Sequence, residues 1–272
     1  FGIREACSLA EDMRPLGLSP GLEGKRVVVQ GLGNVGYHAA KFLQEGGALL
    51  VGLAEYEGAI VSPGGLDVDQ VMAHRRETGS ILDFPGAQNL PSSSAVLEVD
   101  CDILVPAALE NQITSHNVHR IRAKIIGEAA NGPVTAEASE ILFQKGIMVI
   151  PDVYLNAGGV TVSYFEWLEN LSHIRFGRMD KRFEENVNAK ILRAVESLVG
   201  KKFPATVFAE IVQGAEEEDL VNSGLEEIMV TAYRDIREMR RRHRDTIDLR
   251  TAAFIIAISK VAQAYLEAGI FP

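Results

Sequence analysis

The sequence has 272 residues, 47% of them hydrophobic and 24% charged, the profile of a globular protein with room for one large domain or two small ones. A formal net charge of −10 opposes an electrostatic grip on phosphate backbones or anionic lipids, so neither a nucleic acid nor a membrane is expected as partner. Two cysteines, Cys7 and Cys101, make no disulfide framework and no Cys-x-x-Cys pair; a reducing compartment is expected, cytoplasmic or, in a eukaryote, the mitochondrial matrix.

The opening Phe1-Gly2-Ile3-Arg4-Glu5-Ala6 reads as helix with no start methionine and no secretory signal, and further sequence upstream is expected. From Arg26 to Ile150 one rhythm repeats: a short β-branched apolar run, a turn, then a helical pattern, the mark of a parallel sheet with covering helices. The runs are Val27-Val28-Val29, Leu49 to Leu53, Ile103-Leu104-Val105, Ile125-Ile126 and Ile147 to Ile150. None alternates strictly with polar residues, so these strands are expected to be buried on both faces. Helices are expected at about Val35 to Glu45, Val68 to Thr78 and Thr135 to Gln144, and Phe84 to Ser94, with its prolines and serines, as a surface loop. Beyond Asn156 the patterns are helical only: Val160 to Leu171, Phe183 to Val199, Leu220 to Arg244, and Asp248 to Ala268 with Gly269 as its stop. The longest uninterrupted apolar run, Ala252 to Ile258, falls short of the roughly 18 residues of a bilayer span.

The first run leads straight into Gly31-Leu32-Gly33-Asn34-Val35-Gly36, a strand followed by Gly-x-Gly-x-x-Gly and a helix. Gly31 would make the tight turn, Gly33 would let a pyrophosphate approach bare backbone, and Gly36 would let the helix pack against the strand. Asn34 and Val35 would then open the helix whose N-terminus faces the phosphates. Glycine turns are common, but an acid, Glu55, ends the next strand at about the spacing of a ribose-binding carboxylate. The fold class indicated is α/β: a Rossmann-like, doubly wound, mostly parallel sheet followed by long C-terminal helices. Glu55 can accept from both ribose hydroxyls and would repel a 2′-phosphate, which favours NAD, while NADP becomes possible if a cation stands nearby.

Gln30-Gly31-Leu32-Gly33-Asn34-Val35-Gly36 closely resembles the cofactor turn of the glutamate dehydrogenases. So do the segments Asp100 to Ala108, Ala129 to Thr135, Pro151 to Trp167 and Asp248 to Ala253. The resemblance covers essentially the whole chain and is nearest to the animal-type hexameric enzymes. It implies that Ala107 and Ala108 line the adenosine side, that Asn131 and Asn156 bond the nicotinamide ribose and carboxamide, and that Ser163 bonds the side-chain carboxylate of glutamate. Amides suit that task, since each offers a donor and an acceptor without charge. The family's activity is oxidative deamination of L-glutamate to 2-oxoglutarate and ammonia, in a homo-hexamer. Its catalytic lysine motifs are not found here; Lys25 and Lys124 read as solvated residues at strand starts. The resemblance therefore implies a cofactor-binding portion with no catalytic residue of its own. Residues 1–170 would be the dinucleotide-binding domain, 171–223 a helical insertion like the antenna of the animal-type enzymes, and 224–272 helices packing back toward the substrate domain.

Other readings stay open at this point. A leucine-, phenylalanine- or valine-type dehydrogenase shares the cofactor fold, although the helical insertion and Ser163 speak against it; an isolated nucleotide-binding module needs no catalysis. The basic run Arg237 to Arg244 reads as a solvated helix end, because its arginines scatter around the helix and lack aromatic stacking partners. The acids Glu216 to Asp219 read as a helix N-terminus. His116 and His119 could share a helical face, but no further ligands complete a metal site, and none is expected.

Overall fold

The computed structural model describes residues 1–172, 176–214, 216–243 and 246–269. Arg244 of the basic run, and residues 173–175 and 215 of the expected insertion, lie outside them. The chain divides into two compact units, Phe1–Ala157 with Val230–Pro272, and Gly158–Met229.

The first unit begins with α1 (Gly2–Ser8) and α2 (Ala10–Met13), then alternates β1 (Arg26–Gln30), α3 (Asn34–Glu45), β2 (Leu49–Glu55), β3 (Gly58–Val61), α4 (Val68–Thr78) and β4 (Gln88–Leu90). It continues with β5 (Ile103–Pro106), β6 (Ile125–Gly127), α5 (Ala136–Gln144), β7 (Met148–Ile150) and α6 (Asp152–Leu155). The strands form one seven-stranded sheet in the order β4-β3-β2-β1-β5-β6-β7. Strands β2, β1, β5, β6 and β7 run parallel, while β3 and β4 are antiparallel. All five expected strands are present. The antiparallel pair was not expected, and β4 lies inside the stretch read as loop.

Val27, Val28, Val29, Ile103, Leu104, Val105, Ile125 and Ile126 are all buried, as the unbroken apolar runs imply. Val28, Leu104 and Ile126 join Val96, Leu97, Ile113 and Leu142 in one cluster; their alternating neighbours Val27, Ile103, Val105 and Ile125 fill the opposite face. Removing each such side chain from water is worth about 1.5–3 kcal/mol. Caps fix where the covering helices start: the Asp67 carboxylate accepts from the Gln70 N–H at 2.8 Å before α4, and Thr135 Oγ1 accepts from the Ala138 N–H at 3.3 Å before α5.

The chain continues through α7 (Gly158–Ser172), α8 (Phe176–Val199), α9 (Ala205–Val212), α10 (Glu217–Arg242) and α11 (Leu249–Ala268). The basic run is solvated only in part: Arg241 and Arg242 are exposed, but Arg237 is partly buried. Arg237 bonds Glu11 at 2.6 Å and Asp12 at 2.8 Å, and Arg241 lies 3.4 Å from Glu11, so this end of α10 is tied to α2. The first turn of α11 is buried through Leu249, Ala252 and Ala253, whereas Phe254, Ile258, Val261 and Tyr265 are exposed. By length and composition α11 is apolar enough to cross a bilayer. Ser259, Lys260 and Gln263 hide that length in the sequence by breaking the apolar run.

Within the second unit, α8 packs against α9, and the Phe203 N–H donates to Glu196 at 2.9 Å. The acid cluster does stand at a helix start: the Glu216 N–H donates to Asp219 at 2.8 Å, and Glu216 pairs with Lys181 at 2.5 Å.

Candidate functional site

Five strand ends line up along the carboxyl edge in the order β2, β1, β5, β6, β7. Each delivers at least one of the sequence-predicted residues. Glu55 closes β2, Gly31 follows β1, Ala107 and Ala108 follow β5, Asn131 follows β6, and Asn156 ends the short helix after β7. The chain leaves β1 toward β2 and later returns to the other side of β1 to lay down β5, so the winding reverses between them, and in such sheets the crevice at that switch point binds ligands.

The glycines fit a dinucleotide at this crevice. Gly31 has φ +90, and a Cβ there would stand 2.9 Å from Ala108 Cα and 3.0 Å from the Ala107 carbonyl, so the turns after β1 and β5 touch. A Cβ on Gly36 would overlap the Gly31 carbonyl oxygen, whereas one on Gly33 would meet nothing within 4 Å. Gly33, Asn34 and Val35 are exposed, and no side chain caps the N-terminus of α3. Bare backbone thus faces open space at the positive end of a 12-residue helix, where a phosphate is favoured.

Glu55 is turned toward the same place. One of its oxygens accepts from the Leu32 N–H of the turn at 2.5 Å, and the other from its neighbour's N–H at 3.1 Å. Arg75, from the last turn of α4, stands 3.2 Å from Glu55 and 2.9 Å from Glu57, and its guanidinium lies 5.7 Å from the Tyr56 ring centroid. Sequence alone left Glu57 without an orientation and did not identify Arg75, which no motif marks.

At the opposite end Asn156 Nδ2 donates to Asn131 Oδ1 at 2.7 Å. Asp152 supports both: its side chain accepts from the Gly132 N–H at 2.8 Å, and its carbonyl from the Asn156 N–H at 3.2 Å. Asn156 therefore stands at the C-terminal end of α6. Arg250 bonds Asp152 at 2.7 Å and the fully buried Glu128 at 2.5 and 2.6 Å. Burial pushes the Glu128 carboxyl up despite the guanidinium. At Asp152 burial also raises, but the N–H groups of Gly132 and Val153 together with Arg250 outweigh it and hold the carboxyl low. Glu128, Asp152 and Arg250 were not found by sequence reasoning.

Ser163 lies in the other unit, exposed on α7, with its hydroxyl donating to the Gly159 carbonyl at 3.2 Å. Lys25 is not solvated as expected: it is 3% exposed and donates to the Ser19 carbonyl at 2.5 Å, since the loop before β1 folds over it. Lys124 is half-exposed, 3.8 Å from Asp102. His119 sits in a single 3₁₀ turn, Val118–Arg120, which His116 precedes, so the two share no helical face.

The model of the glutamate/leucine/phenylalanine/valine dehydrogenase family matches residues 7–217. A mitochondrial glutamate dehydrogenase of Dictyostelium discoideum is 48% identical over 269 residues, which cover 99% of this chain and 53% of that protein. A cryptic catabolic NAD-specific glutamate dehydrogenase of Bacillus subtilis is 39% identical over 89% of this chain and 47% of its own length. Among solved structures, the hetero-hexameric glutamate dehydrogenase of Thermus thermophilus in a leucine-bound form superposes with a TM-score of 0.73 at 25% identity, covering 100% of this chain and 53% of that one. The chain spans about half the length of the curated relatives it matches. A match that takes in the glycine turn, Glu55 and both asparagines, on a sheet wound in this order, makes the chain a member of the glutamate/leucine/phenylalanine/valine dehydrogenase family.

Proposed function

We propose that this chain is the cofactor-holding half of an NAD-dependent glutamate dehydrogenase, an enzyme that oxidises L-glutamate to 2-oxoglutarate and ammonia. The observation that carries this reading is the open, uncapped start of α3 beside the Glu55 carboxylate. Bound there, NAD supplies a nicotinamide ring that accepts a hydride. The N–H groups opening α3 hold the pyrophosphate, Glu55 accepts from the adenosine ribose, Ala107 and Ala108 line the adenosine side, and the amides of Asn131 and Asn156 orient the nicotinamide riboside. Two carboxylates, Glu55 and Glu57, face one guanidinium, Arg75. That leaves a net charge of −1 where a 2′-phosphate would lie, which favours NAD over NADP; the NAD-specific relative points the same way.

In the complete enzyme Ser163 donates to the side-chain carboxylate of glutamate, giving up its present bond to Gly159. Residues 1–170 serve as the dinucleotide domain, 171–223 as a projection, and the helices of 224–272 return toward the substrate half. The exposed apolar residues of α11 support the last assignment. Proton transfer falls to residues outside this chain. A hexamer is supported by the hetero-hexameric Thermus thermophilus relative, and the family resemblance favours identical subunits. A reducing compartment, cytoplasmic or mitochondrial, fits the two free thiols, which burial pushes up to about 11 for Cys7 and about 12 for Cys101.

Calorimetric titration of the chain with NADH and NADPH tests the reading. Wild type is expected to bind NADH at least roughly tenfold more tightly, and Glu55→Ala to bring the two within about threefold. Tighter binding of NADPH by wild type would refute the preference, and failure to bind either would refute the site.

A further inference from the structure

Asn131 and Asn156 come from segments after two different strands, yet both hang from one residue. The Asp152 side chain holds the backbone beside Asn131, and the Asp152 carbonyl holds the backbone of Asn156. Asp152 is held in turn by Arg250, which reaches from the first turn of α11 with one nitrogen on Asp152 and the other on both oxygens of Glu128. Glu128 is 0% exposed and also accepts from the Asp152 N–H at 2.8 Å, so the three charges form one closed cluster. Such buried clusters are weak sources of net stability, but they set geometry tightly because each member has one satisfactory arrangement. Glu55 and Arg75 bond Leu32, Tyr56 and Glu57, and the glycine turn bonds Ala54, all at the other end of the edge from this cluster.

We propose that Arg250 is a positioning residue for the nicotinamide end of the cofactor: through Asp152 it fixes the spacing of the Asn131 and Asn156 amides, and it leaves the adenosine and pyrophosphate end unaffected. The inference rests on the cofactor reading above. It assigns Arg250 no contact with cofactor or substrate.

The test compares NADH with ADP, which carries the adenosine and both phosphates but no nicotinamide riboside. Both are titrated calorimetrically into the full chain as wild type, Arg250→Met, Arg250→Lys and the double variant Arg250→Met/Glu128→Gln, with thermal unfolding followed by circular dichroism. Wild type is expected to bind NADH more tightly than ADP. Arg250→Met is expected to erase roughly tenfold of that advantage while the Kd for ADP moves less than about twofold. Its Tm falls because Glu128 is left buried without a counter-charge. Arg250→Lys, which can reach one carboxylate at a time, falls between. The double variant removes the buried charge and recovers Tm without recovering the NADH advantage. Three results overturn the inference: an advantage that survives in Arg250→Met, one that returns with Tm in the double variant, or a parallel weakening of ADP. Wild type that binds neither ligand brings down the cofactor reading and this inference together. Wild type that binds both equally removes the inference alone.

Discussion

The two ends of the carboxyl edge are held by different kinds of constraint. At the phosphate end the work is steric: six consecutive residues, Gly31 to Gly36, form the turn, and the nearest atoms to Gly31 and Gly36 are backbone and methyl groups of the turn itself and of Ala107 and Ala108. At the amide end the constraint is electrostatic and distant, with Arg250 acting on residues 98 and 122 positions earlier. Both leave little tolerance, but a steric constraint acts through direct contact, whereas an ionic cluster acts through its partners and fails when any single member is lost. Damage at the first end should therefore take the whole site, and damage at the second should be confined to the nicotinamide.

The largest expected effect is at Gly36→Val. The added Cβ collides with the Gly31 carbonyl, and α3 must move away from β1. A loss of more than about 3 kcal/mol in urea unfolding is expected, together with loss of both ADP and NADH binding. Retention of ADP binding would show that the turn is looser than its packing implies. Asp152→Ala comes next. It strips the acceptor from the Gly132 N–H and one partner from Arg250, costing about 1–3 kcal/mol. NADH should weaken roughly tenfold with ADP unchanged; equal weakening of the two ligands would erase the distinction between the ends. The smallest effect is at Thr135→Ala, which removes the cap of α5 at a cost of about 1 kcal/mol. Both affinities should stay as they are, and a shift in either would mean that general loosening, not a lost contact, accounts for the Asp152 result.

Legibility in the sequence follows the same division. The glycine turn is contiguous, so its strand, turn and helix could be read directly, and α4 was placed at its observed bounds because Asp67 caps one end and Gly79 closes the other at φ 84. Glu55 was found by its spacing from the turn. The two antiparallel strands were missed because each is short: β4 has three residues, two of them exposed and polar, which carry no two-residue period. Arg75, Glu128 and Arg250 were missed for another reason. A salt bridge between distant residues leaves no local pattern, and an arginine in a helical stretch looks the same whether it faces water or a buried carboxylate. Lys25 was misread on that account, since position beside a strand says nothing about the loop that covers it.

A ribosome adds residues in order, and the dependence of Asp152 on Arg250 gives that order a consequence. The glycine turn draws on β2 with Glu55 and on Ala107 and Ala108 but on nothing later in the chain, so it can acquire its shape well before synthesis ends. The asparagine pair cannot be set in its final spacing until α11 has emerged and docked. A partly translated chain would then hold a dinucleotide by its phosphates while leaving the reactive ring unanchored.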